Sequence, residues 1–369
     1  MKILIAPNAF KGTITADEAA ELIGAVIQSN ISESEIILQP LVDGGDGTCR
    51  LLIQSLGLER ISLMSLDAIG RPIEGDLGWD SRSKKVYLDV STASGIGVLD
   101  ENQKKADLTS TFGTGILIQK GIEMGAEEII LGLGGSATVD LGLGILQSFG
   151  FIFLDENGRD INPFTPDFLS RIRHIQRPPR LPKIKFTCLC DVNNHFFGAE
   201  GAIPVFGPKK GIKQDDLEEF EAECRRVLEK LIRKTKIAWE DREGFGAAGG
   251  IALGLDLFFP VEIKFGANYF FDVVNLEEKV QKADWILTGE GRFDSQSAGG
   301  KACYELLQLC VKKNKNITLI TSGNEGFEIG FDEVLVLPDL DFTNPNYKEK
   351  ARENLHELTV HFCEKRNSS

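Results

Sequence analysis

The beginning of the chain repeats one pattern twice, and this repeat constrains the fold more than any other feature. An apolar run at residues 2–6 is followed by a polar loop and a helix, which starts at the capping-box pair Thr15 and Glu18. A second apolar run, at 36–41, leads through a glycine-rich loop into a helix at 48–56. Alternation of strand, loop and helix predicts a parallel sheet of the α/β class.

The middle of the chain follows a different pattern, and the last third returns to the first one. Three short alternating runs predict antiparallel strands at residues 61–66, 73–79 and 85–90. We therefore predict two α/β domains. Residues 1–62 and 281–369 form a discontinuous Rossmann-like parallel sheet, and residues 63–280 form a mixed α/β domain inserted into it.

Charge and cysteine usage limit the classes of partner. The net charge of −14 argues against nucleic acid or an anionic membrane as the main partner, and it means that an anion site needs its own local positive charge. Seven scattered cysteines without a CxxC pair predict reduced thiols in a cytoplasmic protein. The apolar run at the start is interpreted as a first strand and not as a signal peptide. A homo-oligomer is compatible with the sequence.

Five segments are richer in Gly, Asp, Asn and Lys than simple connections require. We expect each of them at the carboxyl end of a strand, which is where open α/β sheets bind ligands. The five segments are residues 7–13, 43–48, 132–140, 190–194 and 288–301.

The first two segments offer charge of both signs. Lys11 follows the first strand and can neutralise a phosphate or a carboxylate, although an exposed loop lysine would have the same sequence context. Asp43 and Asp46 flank two glycines and can hold Mg²⁺ through water. The structural alternative is a tight turn in which Asp46 caps the following helix.

The third segment allows two interpretations. Its glycines leave a strand and offer backbone N–H groups to an anion. The pattern Gly132-x-Gly134-x-x-Ala137, with Asp155 farther along the chain, also fits a dinucleotide fingerprint. An NAD-dependent oxidoreductase is therefore an alternative, although the pattern lies in mid-chain and not near a domain start.

The last two segments carry the other reactive side chains. Asp191 ends an apolar run beside Asn193 and suits either Mg²⁺ or a substrate hydroxyl, although a loop cap is the structural alternative. The fifth segment is the densest in charge, and no Walker-type phosphate loop occurs anywhere in the chain. Its charged residues are Glu290, Arg292, Asp294 and Lys301.

Taken together and in order, these motifs resemble the glycerate kinase family of the type that forms 2-phosphoglycerate. The resemblance implies ATP as co-substrate, Mg²⁺ as cofactor and glycerate as the phosphate acceptor. It also implies two α/β domains with the active site in the cleft between them. The matching stretches are Ile5-Ala6-Pro7, Phe10-Lys11-Gly12, residues 43–48, 132–140, 190–194 and 206–208, and Thr288 to Arg292 with Asp294 and Gln296.

On this resemblance each candidate residue receives a role. Asp191 is the first candidate for accepting the hydroxyl proton and Asp294 the second, and Lys11 and Arg292 complete the catalytic set. The expected substrate-binding residues are Asp43, Asn193, Glu290 and Lys301. The expected nucleotide-binding residues are Gly134, Gly135, Ser136 and Thr138, with Lys209 and Lys210 adding charge. Asp46 and Asp191 are the expected metal ligands.

The chain departs from the family pattern at a few positions. Asn8-Ala9 stands where the family usually has Asp-Ser, and Lys209 and Cys303 stand where Gln and Pro are common. We expect Asn8 or Lys209 to alter affinity or substrate choice if either one faces the active site. A sensor that binds a hydroxy acid without turnover is a further alternative, and the density of paired acids and bases argues against it.

Overall fold

The computed structural model describes residues 1–31, 33–235, 237–293 and 301–367. Its strands are β1 (Lys2–Pro7), β2 (Glu35–Leu38), β3 (Glu59–Leu66), β4 (Pro72–Asp80), β5 (Lys85–Asp89), β6 (Glu128–Gly132), β7 (Ile152–Leu154), β8 (His174–Gln176), β9 (Lys185–Cys190), β10 (Val261–Phe265), β11 (Trp285–Arg292), β12 (Ile317–Ser322) and β13 (Glu333–Val336).

The α-helices lie between these strands and after the last of them. No helix in the described part of the chain is both long and apolar enough to span a bilayer. The helices are α1 (Ala16–Asn30), α2 (Thr48–Leu56), α3 (Ser91–Ser94), α4 (Phe112–Glu123), α5 (Leu143–Ser148), α6 (Phe168–Arg171), α7 (Ala202–Phe206), α8 (Leu217–Ile232), α9 (Ile251–Asp256), α10 (Gly266–Val273), α11 (Leu276–Lys282), α12 (Ala302–Lys313) and α13 (Tyr347–Asn367).

The chain divides into two compact units. The first unit contains residues 1–43 and 267–369, and the second contains residues 44–266. The predicted boundaries, after residues 62 and 280, differ from these. The reason is pairing: β3 runs antiparallel to β4 along its whole length, so β3 and the preceding helix α2 belong to the second unit.

The first unit is built on a five-stranded parallel sheet with the strand order β13-β12-β11-β1-β2. From β1 the chain continues through α1 to β2, whereas from β11 it continues through α12 to β12 on the opposite side. Connections that diverge from two adjacent strands leave a crevice at the carboxyl ends of those strands. In this sheet the crevice lies where β1 and β11 end.

Apolar spacing and capping explain why α1 forms and how it packs. The Oγ1 atom of Thr15 accepts from the Glu18 N–H at 3.4 Å, and the Glu18 carboxylate accepts from the Thr15 N–H at 3.1 Å. The predicted capping box is thereby confirmed. One face of α1 is buried in the apolar core of the first unit, through Ala19, Ala20, Ile23, Val26 and Ile27.

The second unit is built on a mixed six-stranded sheet with the strand order β10-β9-β6-β5-β4-β3. The antiparallel pairing predicted for the three alternating runs is confirmed in β3, β4 and β5. The strands β5, β6, β9 and β10 pair in parallel. The loops that follow β5, β6 and β9 therefore leave the sheet at one edge.

The buried carboxylate of Asp140 fixes the loop that follows β6. Its Oδ2 atom accepts from the Thr111 N–H and from Thr111 Oγ1, both at 2.8 Å. The two carboxylate oxygens also accept from the backbone N–H groups of Gly142 and Gly144. Asp140 therefore connects the loop after β6 to the starts of α4 and α5.

We expect Asp140→Ala to lower the free energy of unfolding by roughly 2–5 kcal/mol, because the variant leaves several buried N–H groups without an acceptor. Urea denaturation measures the change. The matched control is Asp341→Ala, since Asp341 accepts from the N–H and Oγ1 of Thr343 in the same way but is exposed. Equal losses of stability in the two variants would contradict the role given to Asp140.

Candidate active site

The buried side chain of Asn8, at the end of β1, pairs with Asp43. Asn8 Nδ2 donates to Asp43 Oδ2 at 3.2 Å, and Asn8 Oδ1 accepts from the Ala9 N–H at 2.8 Å. The Asn8 N–H donates to the carbonyl of Gly289 at 2.7 Å, which ties the loop after β1 to β11. An aspartate at position 8 would place a second carboxylate against Asp43, whereas the amide of Asn8 donates a hydrogen bond to it.

Glu290, near the end of β11, is a buried acid among charged neighbours. Only 6% of its surface is exposed, and its Oε1 atom has no hydrogen-bond partner among the described residues. Burial raises the pKa of Glu290 to about 7; the charges of Lys301 and Lys11 act against this rise, and the charge of Asp43 adds to it. The structure thus brings together Asp43, Glu290, Lys11 and Lys301, as expected of one site.

A cavity of about 580 Å³ lies entirely within the first unit. Its polar side is lined by Lys11, Glu290, Arg292 and Lys301, each of which was a candidate in the sequence. The guanidinium of Arg292 forms an exposed ion pair with Glu325 at 3.4 Å. Asp294, the second candidate for the proton acceptor, lies outside the described residues.

In the second unit the glycine loops after β2 and β6 meet at backbone distance. The Gly134 N–H donates to the carbonyl of Gly44 at 3.3 Å. A Cβ atom on Gly134 would lie 2.3 Å from the Cα of Gly45 and 2.8 Å from the backbone nitrogen of Asp46, so no larger residue fits there without movement of the backbone. Gly135 adopts a positive φ of +70°. Gly134 and Gly135 are thus required for this close approach.

Asp46 and Asp89 place two carboxyl groups near the meeting point of these loops. The Oδ1 atom of Asp46 accepts from Ser91 Oγ at 2.6 Å. Asp89, at the end of β5, is 3% exposed; its Oδ2 atom accepts from the Cys49 N–H at 2.7 Å, and its Oδ1 atom has no partner among the described residues. Burial raises the pKa of Asp89 to about 7, and the charge of Asp46 adds to the rise.

Asp89 and Ser91 were not among the site residues predicted from the sequence. Asp89 lies within the run at residues 85–90, which was predicted correctly as an antiparallel strand, and Ser91 directly follows this run. The strand β5 also pairs in parallel with β6, which places its carboxyl end beside the glycine loop. The only signal in the sequence was an aspartate at the end of an apolar run.

A buried lysine, Lys210, donates hydrogen bonds to the loop that is predicted to bind the nucleotide. Lys210 Nζ donates to Ser136 Oγ and to the carbonyl of Thr138, both at 2.8 Å. Burial lowers the pKa of Lys210 to about 7. Thr138 is fully buried, and Lys209 is exposed. Lys210 therefore positions the backbone of the loop, and its ammonium group is not on the surface.

Asp191 and Asn193 follow β9, the strand next to β6. Asp191 is half-buried and Asn193 is exposed. A Cβ atom on Gly44 would lie 2.9 Å from the carbonyl carbon and oxygen of Cys190, so the loop containing Asp46 packs against the end of β9. The second unit thus brings together three of the five predicted segments, although Asp43 itself falls in the first unit.

The oxygen donors of this edge fit Mg²⁺. Among the described residues no three His, Cys, Asp or Glu side chains converge as a complete metal cage. Mg²⁺ is usually held by one or two carboxylates together with water and substrate phosphates, so a complete cage is not required. Asp46 is exposed and has one carboxylate oxygen fixed by Ser91, which suits this kind of binding.

The dinucleotide interpretation of the glycine loop is wrong, because the strand before Asp155 is not part of the sheet that carries this loop. In a dinucleotide-binding unit the acidic residue follows a strand that lies beside the first strand in one parallel sheet. Asp155 instead follows β7, which pairs antiparallel with β8 in a separate two-stranded sheet. Asp155 is half-buried, and its Oδ1 atom accepts from the N–H groups of Asn157 and Arg159 within a turn.

The fold and these two clusters define an α/β protein with charged sites at the carboxyl ends of parallel strands, the arrangement typical of enzymes that bind anionic ligands. The chain belongs to the glycerate kinase family, whose model matches residues 3–365. The family predicted from the motifs is thereby confirmed.

Curated relatives and a solved structure agree with this assignment. The glycerate kinase of Bacillus subtilis (strain 168) is 34% identical over 82% of this chain and 79% of the relative. The glycerate 2-kinase of Escherichia coli (strain K12) is 32% identical over 86% and 84%. A crystal structure described as that of a glycerate kinase 2 from Salmonella typhimurium LT2 superposes with a TM-score of 0.84 at 28% identity, over 100% of this chain and 98% of that one. The predicted mixed α/β fold with parallel sheets is confirmed.

We expect Asp89→Asn to change how stability depends on pH. The pKa of Asp89 is raised in the folded protein to about 7 from an ordinary value of 3.8, so the folded form loses stability as pH rises from about 4 to 7. The asparagine variant lacks this loss. Its stability relative to the wild type should therefore rise by up to about 4 kcal/mol between pH 4 and pH 8 in urea titrations.

The control for this experiment is Asp155→Asn. A hydrogen bond from the Arg159 N–H lowers the pKa of Asp155, so the contribution of this carboxylate to stability is gained below about pH 4 and stays nearly constant above it. The stability of Asp155→Asn relative to the wild type should therefore stay nearly flat between about pH 4 and pH 8. Parallel pH profiles for Asp89→Asn and the wild type would show that Asp89 is ionised in the folded protein without a penalty.

Proposed function

We propose that this protein transfers the γ-phosphate of ATP to the 2-hydroxyl group of D-glycerate, with Mg²⁺ as the cofactor. The proposal rests on membership of the glycerate kinase family, whose Escherichia coli relative is named a glycerate 2-kinase. We place the reaction in the cytoplasm, in agreement with seven cysteines that are all free and buried.

The observation that carries the proposal is the cationic cluster in the first unit. The whole chain has a net charge of −14, yet Lys11, Arg292 and Lys301 line one cavity together with Glu290. Both substrates are anions, and an acidic protein can hold them only where positive charge is concentrated locally. The raised pKa of Glu290 reduces the negative charge that this acid presents to them near neutral pH.

Phosphoryl transfer depends mainly on positioning and on neutralising charge. Lys11, Arg292 and Lys301 supply fixed positive charge to the transferring phosphoryl group or to the glycerate carboxylate. When bound, Mg²⁺ would neutralise phosphate oxygens, and Asp46 and Asp191 are the residues that would hold it. Glu290, Asp43 and Asn193 are the proposed substrate-binding residues.

The remaining roles concern the nucleotide and the proton. The backbone of the Gly134 to Thr138 loop, which Lys210 holds in place, is proposed to approach the phosphates of ATP. Asp191 is proposed to accept the proton of the attacking hydroxyl group, since it is half-buried at the end of β9.

The direct test is an ADP-release assay with Mg-ATP and a panel of D-glycerate, L-glycerate, lactate, glycolate and tartronate. We expect ADP release with D-glycerate, and phosphorus NMR should identify a 2-phospho product. A 3-phospho product would contradict the proposed position of transfer. Turnover with another acid but not with D-glycerate would contradict the proposed substrate.

We expect Asp191→Ala to lower kcat by about 10²–10⁴-fold, the usual effect of losing a positioned acid–base group. The control is Asp155→Ala, which removes the aspartate that the dinucleotide interpretation would need and should leave kcat unchanged. Rates are measured with saturating D-glycerate and Mg-ATP. Turnover of Asp191→Ala close to that of the wild type would remove Asp191 from the mechanism.

A further inference from the structure

The cavity of the first unit has a second wall, which differs in chemistry from its cationic side. This second wall consists of apolar side chains that follow β1 and β13, whereas the side with Lys11 is charged. They are Phe10, Ile14, Leu337, Pro338, Leu340 and Phe342. Phe342 is 63% exposed, and Leu337 and Leu340 are half-buried, so this wall leaves apolar surface open to a ligand.

We propose that this cavity binds the nucleoside end of ATP, with the base against the apolar wall and the phosphates toward the cationic side. The inference deepens the proposed kinase function and rests on it. Glycerate is a small acid with a polar group on every carbon, so it gains nothing from an aromatic wall. A volume of about 580 Å³ lies in the range of sites that hold ligands with several rings.

A buried amide in the cavity supports a base as the occupant. Asn354, on α13, lines the cavity and is only 6% exposed. An asparagine side chain can both donate to and accept from one edge of adenine, so Asn354 offers the base a polar partner beside the apolar wall.

The position of the cavity in the sheet agrees with this assignment. Lys11 follows β1, and Glu290 and Arg292 lie in the last part of β11, the two adjacent strands whose connections diverge. Nucleotides bind open α/β sheets in the crevice at such a point. A Cβ atom on Gly291 would lie 3.3 Å from the Lys11 backbone nitrogen, so β11 and the loop after β1 form one continuous wall.

The test compares variants that remove the apolar or the amide contact. Phe342→Ala removes an exposed ring and should not impair folding, while Asn354→Ala removes the buried amide. The control is Phe327→Ala, because Phe327 is 58% exposed in the same unit and does not line the cavity. Binding of the non-hydrolysable analogue AMP-PNP is measured by calorimetry without glycerate, and the KM values for ATP and D-glycerate are measured separately.

We expect Phe342→Ala and Asn354→Ala each to raise the Kd for AMP-PNP and the KM for ATP at least about fivefold, in line with the loss of a base-stacking contact or a base-edge hydrogen bond. The KM for D-glycerate and kcat should stay within twofold, since the lost contact is equal in the ground and transition states. Phe327→Ala should behave as the wild type.

Two results would overturn the inference. One is an unchanged Kd for AMP-PNP in Phe342→Ala, and the other is a raised KM for D-glycerate with an unchanged KM for ATP. Failure of the proposed function would be distinct, because the wild type would then bind AMP-PNP with a Kd that depends on Phe342 and yet release no ADP with any acid of the panel.

Discussion

The parallel pairing of β1 with β11 is the interaction on which the first unit depends. It joins segments far apart in the chain, with Ile3 beside Trp285 and Ala6 beside Thr288. Thr288 Oγ1 donates to the carbonyl of Ala6 at 2.7 Å across 282 residues. Because both strands end at the same edge, the pairing brings Lys11 and Glu290 into one site, which neither segment forms by itself.

Each unit keeps a buried acid at the carboxyl end of a parallel strand, Asp89 in one and Glu290 in the other. Each acid has one carboxyl oxygen without a partner among the described residues, and burial raises its pKa to about 7. Such groups lower stability at neutral pH, and groups with strongly shifted pKa values concentrate at functional sites. Glu290 lies beside the positive charges of Lys11 and Lys301, so the stability that its burial costs is lost at a charged cluster and not at an isolated position.

Local periodicity was sufficient to predict the first two strand–helix repeats and the three antiparallel strands that follow them. Helix α2 has the predicted bounds, and the antiparallel run from β3 to β5 follows from alternation of apolar residues and turns. The domain boundaries required knowledge of which strands pair, and this information is not local. The dinucleotide interpretation was wrong for the same reason. The fingerprint requires the strand before Asp155 to lie beside the first strand in one parallel sheet, and the spacing of residues along the chain does not determine this pairing.

The sequence predicted which segments contribute to the candidate site, but not which of their side chains lie close to one another. Lys11, Glu290 and Lys301 were found because charge and glycine cluster near strand ends. Asn354 carries no comparable signal, since it is a polar residue within a helix of mostly polar composition. It becomes notable only when the fold places this largely buried residue beside a cavity.

Asn8, which departs from the expected family pattern, affects the charge at the end of β1. The amide of Asn8 donates to the Asp43 carboxylate and accepts from the Ala9 N–H, so it fixes the start of the loop that carries Lys11. An aspartate there would add a negative charge beside Asp43 and Glu290, where it would favour a bound cation or a protonated acid. With asparagine the same position is neutral, and the local balance shifts toward the positive charge of Lys11 and Lys301. An asparagine at position 8 therefore keeps this edge of the sheet less negative than an aspartate would.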